Sequence, residues 1–465
     1  MKKGLMVMIF LLMITACTSG LPEKTPDGYP GALTTPTIIS PNGYPTPATG
    51  TTETQQPSPE SIKDGVIKSN QKGIELDTLA QDYQEIAANM NAFGYDLYHL
   101  LSKDNDTNFF FSPYSITQAM AMTLAGARGE TETEMANVLH FQLSQDDLHS
   151  RINGLDQSLY RVPENLRDMP DAFQLNVANA IWGQSGYPFK SPYLDLIAES
   201  YGAGIHLVDF VKSAEKARIT INKWVANQTN DKIKDLISPG ALDSFTRLVL
   251  TNAIYFNATW QKEFNKKLTH SADFATTADQ IVPVDMMEQK GQFNYQYNDE
   301  IQMIEIPYMN SRYSMVLLMP RQSDLNKFIQ GFDLASYNLL MKSKKQGEIL
   351  LKMPKFEFES SFSVSNALKD LGMTTPFTDA ADFSGMYEQG AQPLYISDVI
   401  HKAFVAVDEE GTEAAAATAV IVGATSVMPE EEPLEMIFNH PFMLLIRDRE
   451  SGLILFLGNV INPAN

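Results

Sequence analysis

Seven histidines (His99, His140, His149, His206, His270, His401 and His440) and one cysteine, Cys17, are the side chains from which metal or nucleophilic chemistry would be built here. Their spacing supports neither. The histidines show no ligand spacing, His-Glu-x-x-His is missing, and a lone cysteine forms neither an intrachain disulfide nor a Cys-x-x-Cys pair. Gly-x-Ser-x-Gly elbows, Walker loops and Gly-x-Gly-x-x-Gly turns are missing too. A Ser-His-Asp triad can assemble from distant residues, so the sequence leaves that one possibility open. Nothing in it asks for an enzyme, a metal or a cofactor.

The most distinctive stretch carries no reactive group. It runs Glu409-Glu410-Gly411-Thr412-Glu413-Ala414-Ala415-Ala416-Ala417-Thr418 and on through Val420-Ile421-Val422 to Met428. From Ala414 to Met428 there is no charge, proline or aromatic ring, in a chain that is 20% charged. Alanines favour helix, whereas Val-Ile-Val favours a half-buried strand. Local preference is divided, which suits a segment that is a loop in one state and an inserted strand in another; read alone, it also suits a buried helix or strand.

The positioning elements must come from the other residues of a 465-residue chain whose apolar fraction of 44% is ample for a large core. Lys+Arg 35 against Asp+Glu 56 gives a net charge of −21, a field that repels phosphate backbones and argues against nucleic-acid binding. Met1-Lys2-Lys3, an apolar run from Leu5 to Thr15 and then Ile14-Thr15-Ala16-Cys17 read as a secretory leader whose apolar run is short for a spanning helix. Ile-Thr-Ala-Cys resembles the lipobox of prokaryotic lipoproteins. That resemblance implies a signal peptide over 1–16, a lipid anchor on Cys17, and a place on the extracellular or periplasmic face of a membrane. Residues 17–78 follow as a Pro/Thr/Gly-rich disordered tether: nine prolines lie between Pro22 and Pro59, and Thr25-Pro26-Asp27-Gly28-Tyr29-Pro30 returns as Ser40-Pro41-Asn42-Gly43-Tyr44-Pro45.

The folded part is expected over 79–465. Helical spacing marks 80–102, 116–127, 130–139, 192–201, 214–237 and 364–371; strands are predicted at 173–182, 206–210, 247–256, 301–307, 313–319, 349–358, 399–408, 442–447 and 453–457. Ser112 suits a helix N-cap with Pro113 in the first turn. Helices dominate early and strands late without regular βαβ alternation, which argues for an α+β fold in one large domain.

Short blocks from Phe111 to Pro463 then carry a specific likeness. They are Phe111-Ser112-Pro113-Tyr114-Ser115, Leu124-Ala125-Gly126-Ala127-Arg128-Gly129, Asn176 to Trp182, Asn222-Lys223-Trp224-Val225, Thr251 to Phe256 with Trp260, and Met353-Pro354-Lys355-Phe356. His401-Lys402-Ala403-Phe404, Asp408 to Thr418, Asn439-His440-Pro441-Phe442 and Gly458 to Pro463 complete the set. Each block is weak alone, but together and in order they make residues 79–465 resemble a serpin. The resemblance implies three β-sheets, about nine helices and an exposed reactive-centre loop at the stretch described above. It further implies a suicide-substrate inhibitor: the protease cuts the loop, the cut loop enters the large sheet as a new strand, and the acyl-enzyme is trapped. Members that do not inhibit tend to carry bulky, charged or proline residues at the hinge, and the run Glu409 to Thr418, with Ala414 to Ala417 at its core, carries the inhibitory pattern.

By the same resemblance, Ser112, Ser115, Asn252 and His401 form a polar cluster, the shutter, where strands part, with His401 a hydrogen-bonding core residue. Trp260, Lys355 and Glu409 form the breach at the insertion point, with Lys355 and Glu409 paired. The family register places the reactive bond at Thr425–Ser426, within a window from Val422 to Met428. No Lys or Arg lies between Glu413 and Arg447, so the implied target is an elastase-like or subtilisin-like serine protease, with a cysteine protease as an alternative. The region 143–171 has few cations, so no polyanion cofactor is expected; the protein is expected to act as a monomer. A non-inhibitory serpin cut as ordinary substrate, or a tethered adhesin using the Pro-rich repeat, are the competing readings.

Overall fold

The computed structural model describes residues 62–464 except 64, 75–79, 104, 161–172, 278–279, 323 and 413–431. The chain divides into two units, 1–53 and 54–465, and the first lies wholly outside the described residues. Cys17, Glu413 to Thr418 of the hinge and the Thr425–Ser426 bond also lie outside them.

In chain order come β1 (Ile62–Lys63), β2 (Val66–Ile67), α1 (Ala80–Ser102), β3 (Phe109–Phe111), α2 (Pro113–Leu124), α3 (Gly129–Val138) and α4 (Gln145–Leu159). Then follow β4 (Phe173–Gln184), α5 (Ser191–Tyr201), β5 (Ile205–Val208), α6 (Phe210–Gln228), β6 (Leu248–Thr259), β7 (His270–Thr277) and β8 (Gln280–Tyr297). β9 (Ile301–Pro307), β10 (Tyr313–Pro320), α7 (Leu325–Gly331), α8 (Leu334–Ser343), β11 (Lys345–Pro354) and β12 (Phe356–Ser363) come next. α9 (Ser365–Asp370), β13 (Asp398–Val407), β14 (Gly411–Thr412), β15 (Leu434–Ile437), β16 (Phe442–Asp448) and β17 (Ile454–Val460) end the chain. This is an α+β fold with nine α-helices among the described residues.

Two hydrogen-bonded sheets result. The first has eight strands in the order β1-β2-β5-β4-β6-β14-β13-β12. The second has nine strands: the eight-strand path β15-β11-β8-β9-β10-β16-β17-β3, with β7 off it on β8. The long β8 divides that path: it pairs with β7 and β11 over most of its length and reaches β9 only through Asn294–Tyr297. Counting the two sides of this strand separately gives the expected three layers.

β6 explains the core. All twelve of its residues are buried, as in a strand covered on both faces. Leu250 and Ile254 join the main core, while Val249 and Ala253 pack with Ile221 and Val225 of α6. α2 is buried at every position. Its N-terminus is closed by Ser112 Oγ, which accepts the Ser115 N–H at 3.1 Å, and Pro113 needs no amide partner in the first turn.

Three sequence expectations change. The strand read as 349–358 is two, β11 and β12, which belong to different sheets. The helix read as 214–237 is α6, 210–228: Thr229 Oγ1 bonds back to Val225 O, and Asn230, Asp231 and Asp235 take positive φ, which ends helical pairing. The apolar period runs on because Ile237 folds back onto Asn222, which bonds its N–H and C=O at 2.9 Å each. The tether assigned to 17–78 ends earlier than expected. Its residues 62–63 and 66–67 are strands, because the outer edge of β5 offers unpaired backbone groups that Val66 and Ile67 satisfy.

Candidate functional site

The site is a seam in the eight-stranded sheet. β6 and β13 pair directly, in parallel, from Val249↔Asp398 to Ile254↔Ala403. Above that point direct pairing stops. After β13 the chain reverses at Asp408, whose carboxylate accepts the Glu410 N–H at 2.8 Å and the Gly411 N–H at 3.2 Å. It then runs back between the strands, with Thr412 opposite Val407 on one side and Ala258 on the other. The first two residues of a new strand thus already occupy the top of a seam that is closed below.

Gly411 is required here: a Cβ would meet Ala258 O at 2.2 Å. Thr412 is 1% exposed and shares a 2.7 Å hydrogen bond with the Tyr308 hydroxyl. Tyr308 stacks on Trp260 with centroids 4.6 Å apart. Trp260 donates its indole N–H to Asp408 O at 2.9 Å and its backbone N–H to Glu410 O at 2.9 Å, while Phe264 N–H reaches Glu409 O at 2.8 Å. Lys355 meets Glu409 at 3.0 Å, and Lys266 pairs with Glu410. Glu409 is buried, which opposes its ionisation, but the Thr269 hydroxyl and Lys355 hold it below the usual carboxylate range. Lys355 is about one-third exposed, so the pair orients the hinge more than it stabilises the fold. A cleft of about 570 Å³ opens beside it, walled by Lys355, Phe356, Val407, Asp408 and Asp285.

The lower seam is closed by polar side chains. Ser112 N–H donates to His401 Nε2 at 3.2 Å, which leaves the proton on Nδ1 to be donated to Asn252 Oδ1. Asn252 Nδ2 donates to Ser115 Oγ and Asn179 Oδ1, both at 2.6 Å. Ser112 Oγ–H donates to Leu455 O at 2.6 Å. All four expected shutter residues therefore meet at one point, and Trp260, Lys355 and Glu409 meet at another. Asn179 and Tyr308 went unassigned at the sequence level. Asn179 sits in a block that was read only as family likeness, and a polar side chain in a buried strand was the available signal. Tyr308 had none, because only the fold brings it under Thr412.

Burial pushes His401 down to about 3, and His149 and His206 down to about 4. Folded-state values below the unfolded 6.5 mean that the unfolded chain binds more protons between about pH 4 and 6.5, so stability falls as pH drops through that window. Asp156, pushed up to about 6 by burial, acts in the opposite direction and offsets one histidine. The expected outcome is a loss of about 3 to 4 kcal/mol between pH 6.5 and 5, read from denaturant midpoints, with less than about 0.5 kcal/mol of change between pH 7 and 8 from these groups. A flat profile from pH 7 to 5 would contradict neutral, buried imidazoles.

The site is thus framed by one sheet, closed at one end by direct pairing and entered at the other by Gly411 and Thr412. The matching family model is Serpin (serine protease inhibitor), over residues 88–463, and the chain belongs to that family. An uncharacterized serpin-like protein of Thermococcus kodakarensis is 39% identical over 389 residues, covering 83% of this chain and 88% of that one. The leukocyte elastase inhibitor of Sus scrofa is 38% identical over 390 residues, covering 82% and 100%. Among solved structures, tengpin, a thermophilic serpin in the native state, superposes with a TM-score of 0.73 at 28% identity, covering 85% and 97%.

Proposed function

We propose that this serpin is an inhibitor of serine proteases, not an enzyme, and that it traps its target by completing the strand that Gly411 and Thr412 begin. The observation that carries the reading is the seating of those two residues at the top of a closed seam. The chain continues from there into Ala414 to Ala417, side chains small enough to follow. Each further inserted residue adds backbone hydrogen bonds to both neighbours, which is the driving force for trapping.

The target has a small or shallow apolar specificity pocket, in keeping with Val422 to Met428 and with the leukocyte elastase inhibitor as a relative. The cut falls at Thr425–Ser426. Residues 1–16 form a lipoprotein leader, Cys17 carries the lipid, and the tether beyond it holds a monomeric inhibitor domain off the outer face of a membrane. Among the described residues no helix is long and apolar enough to cross one.

The test uses the chain from residue 18 onward, mixed with elastase and with subtilisin. A denaturant-resistant adduct on a gel is expected, with mass spectrometry of the released C-terminal peptide locating the cut. Clean cleavage by both proteases without adduct sinks the inhibitor reading. Palmitate labelling of the full chain in a bacterial host is expected to mark Cys17; equal labelling of C17A removes the anchor.

A further inference from the structure

We propose that a cleft between the C-terminal ends of α4 and α5 binds a small organic cation, an ammonium carrying alkyl groups. The cleft encloses about 670 Å³, and its described lining includes two acids, Asp156 and Glu199, but no Lys, Arg or His. Tyr160 and Tyr201 supply aromatic surface, and Ile74 closes one side. Acidic oxygens beside aromatic faces attract an alkylated ammonium through charge and ring quadrupole together. Among the described lining residues a phosphate or carboxylate would find no positive side chain, and the nearby Lys68 ammonium is taken up by Gly202 O. A bare metal ion would find no ligand set, since no group of three His, Cys, Asp or Glu able to hold one occurs among the described residues.

Asp156 is a built feature rather than a stray surface charge. Its Oδ1 accepts from the Tyr114 hydroxyl and from Gln118 Nε2, both on buried side chains of α2. Gln118 Nε2 also donates to Tyr114 Oη at 3.1 Å, and Asn179 Nδ2 approaches Gln118 Oε1 at 3.4 Å. Both partners of Oδ1 are neutral, and among the described residues Oδ2 and the Glu199 carboxylate have no partner. Burial without a neighbouring cation is also why the Asp156 carboxyl rises to about 6. A carboxylate held in place by neutral donors, with one oxygen unpartnered among the described residues at a cleft wall, is suited to a cation. Tyr201 is fixed in turn by His149, whose Nδ1 lies 2.6 Å from its hydroxyl.

The experiment titrates choline into the full chain at pH 7.5 by calorimetry, at constant ionic strength. The uncharged analogue 3,3-dimethylbutanol serves as the shape control. Saturable choline binding is expected, at least tenfold weaker in D156N and in Y160A, with the neutral analogue not bound. D156N keeps an oxygen for Tyr114 and Gln118, so it is expected to fold. Glu199 is half-buried at the cleft rim, so E199Q reads the same cleft independently, with weakened choline binding expected. No saturable choline binding by the wild type, equal binding of the neutral analogue, or unchanged affinity in both D156N and E199Q would overturn the proposal.

Discussion

Replacing Thr412 with arginine is expected to cut the yield of denaturant-resistant protease adduct about 100-fold while leaving cleavage of the loop intact. Thr412 is 1% exposed, lies between Val407 and Ala258, and shares its hydroxyl with Tyr308. Any strand that fills the seam must carry residue 412 into that place. An arginine brings a charge into a slot where Thr412 has only a neutral hydroxyl partner, and burying an unpaired charge costs several kcal/mol. Before cleavage an arginine can withdraw residues 411 and 412 from the seam at the loss of their few strand pairs, whereas the completed strand must bury it, so a penalty of about 3 kcal/mol falls mainly on insertion and shifts the partition between trapping and hydrolysis by about 100-fold. T412S keeps the hydroxyl and is expected to trap nearly as well as wild type. Gel densitometry after reaction with elastase measures both variants, and full trapping by T412R would mean that the strand begun at Gly411 is not the one that traps.

His401→Ala is expected to lower the thermal midpoint by about 5 °C without abolishing the fold. The imidazole accepts from Ser112 N–H and donates to Asn252 Oδ1, and His401 is fully buried. Its loss orphans a donor and an acceptor, about 1–3 kcal/mol each, and leaves a cavity. A total of about 4 kcal/mol gives that shift in a domain of this size. Because the same bonds join α2 to both strands of the seam, amide exchange in β6 and β13 should quicken more than in β10 or β16. Uniform quickening across both sheets would assign His401 to general stability and not to closure of the seam.

Local chemistry made some of this legible. α1 has the bounds that its apolar spacing predicts, and Ser112-Pro113 announces the start of α2. α7 and α8 lie in the later part of the chain, where the sequence reads mostly as strands. In α8 only Tyr337 is buried and Leu339 is 69% exposed, so no apolar stripe betrays the helix. Residues that meet at the shutter come from α2 and its cap, β4, β6 and β13, separations that no periodicity encodes; family likeness supplied four of them and the fold supplied Asn179. At the hinge, glycine and alanine composition suggested insertion, but the reversal at Asp408 that starts it depends on Trp260 and Tyr308 lying close by. Side-chain type was readable there. Convergence was not.

The small hairpin at the sheet's outer edge has a mechanical meaning. β1 holds β2 through Ile62↔Ile67 and Lys63↔Val66, and β2 holds β5 through two more pairs, with Gly65 O accepting the Leu207 N–H. Further along, Ile74 is clamped through its N–H to Glu199 O at 3.1 Å and through its C=O to Asn153 Nδ2 at 3.0 Å. Tension applied from the N-terminal side would therefore unzip β1, then peel β2, and only afterwards reach the clamp at Ile74. Residues 62–74 stretched out would span about 45 Å, more than they span while folded back on β5. The hairpin would act as a shock absorber, giving way under pull so that the force does not reach the seam on which the sheet's spring depends.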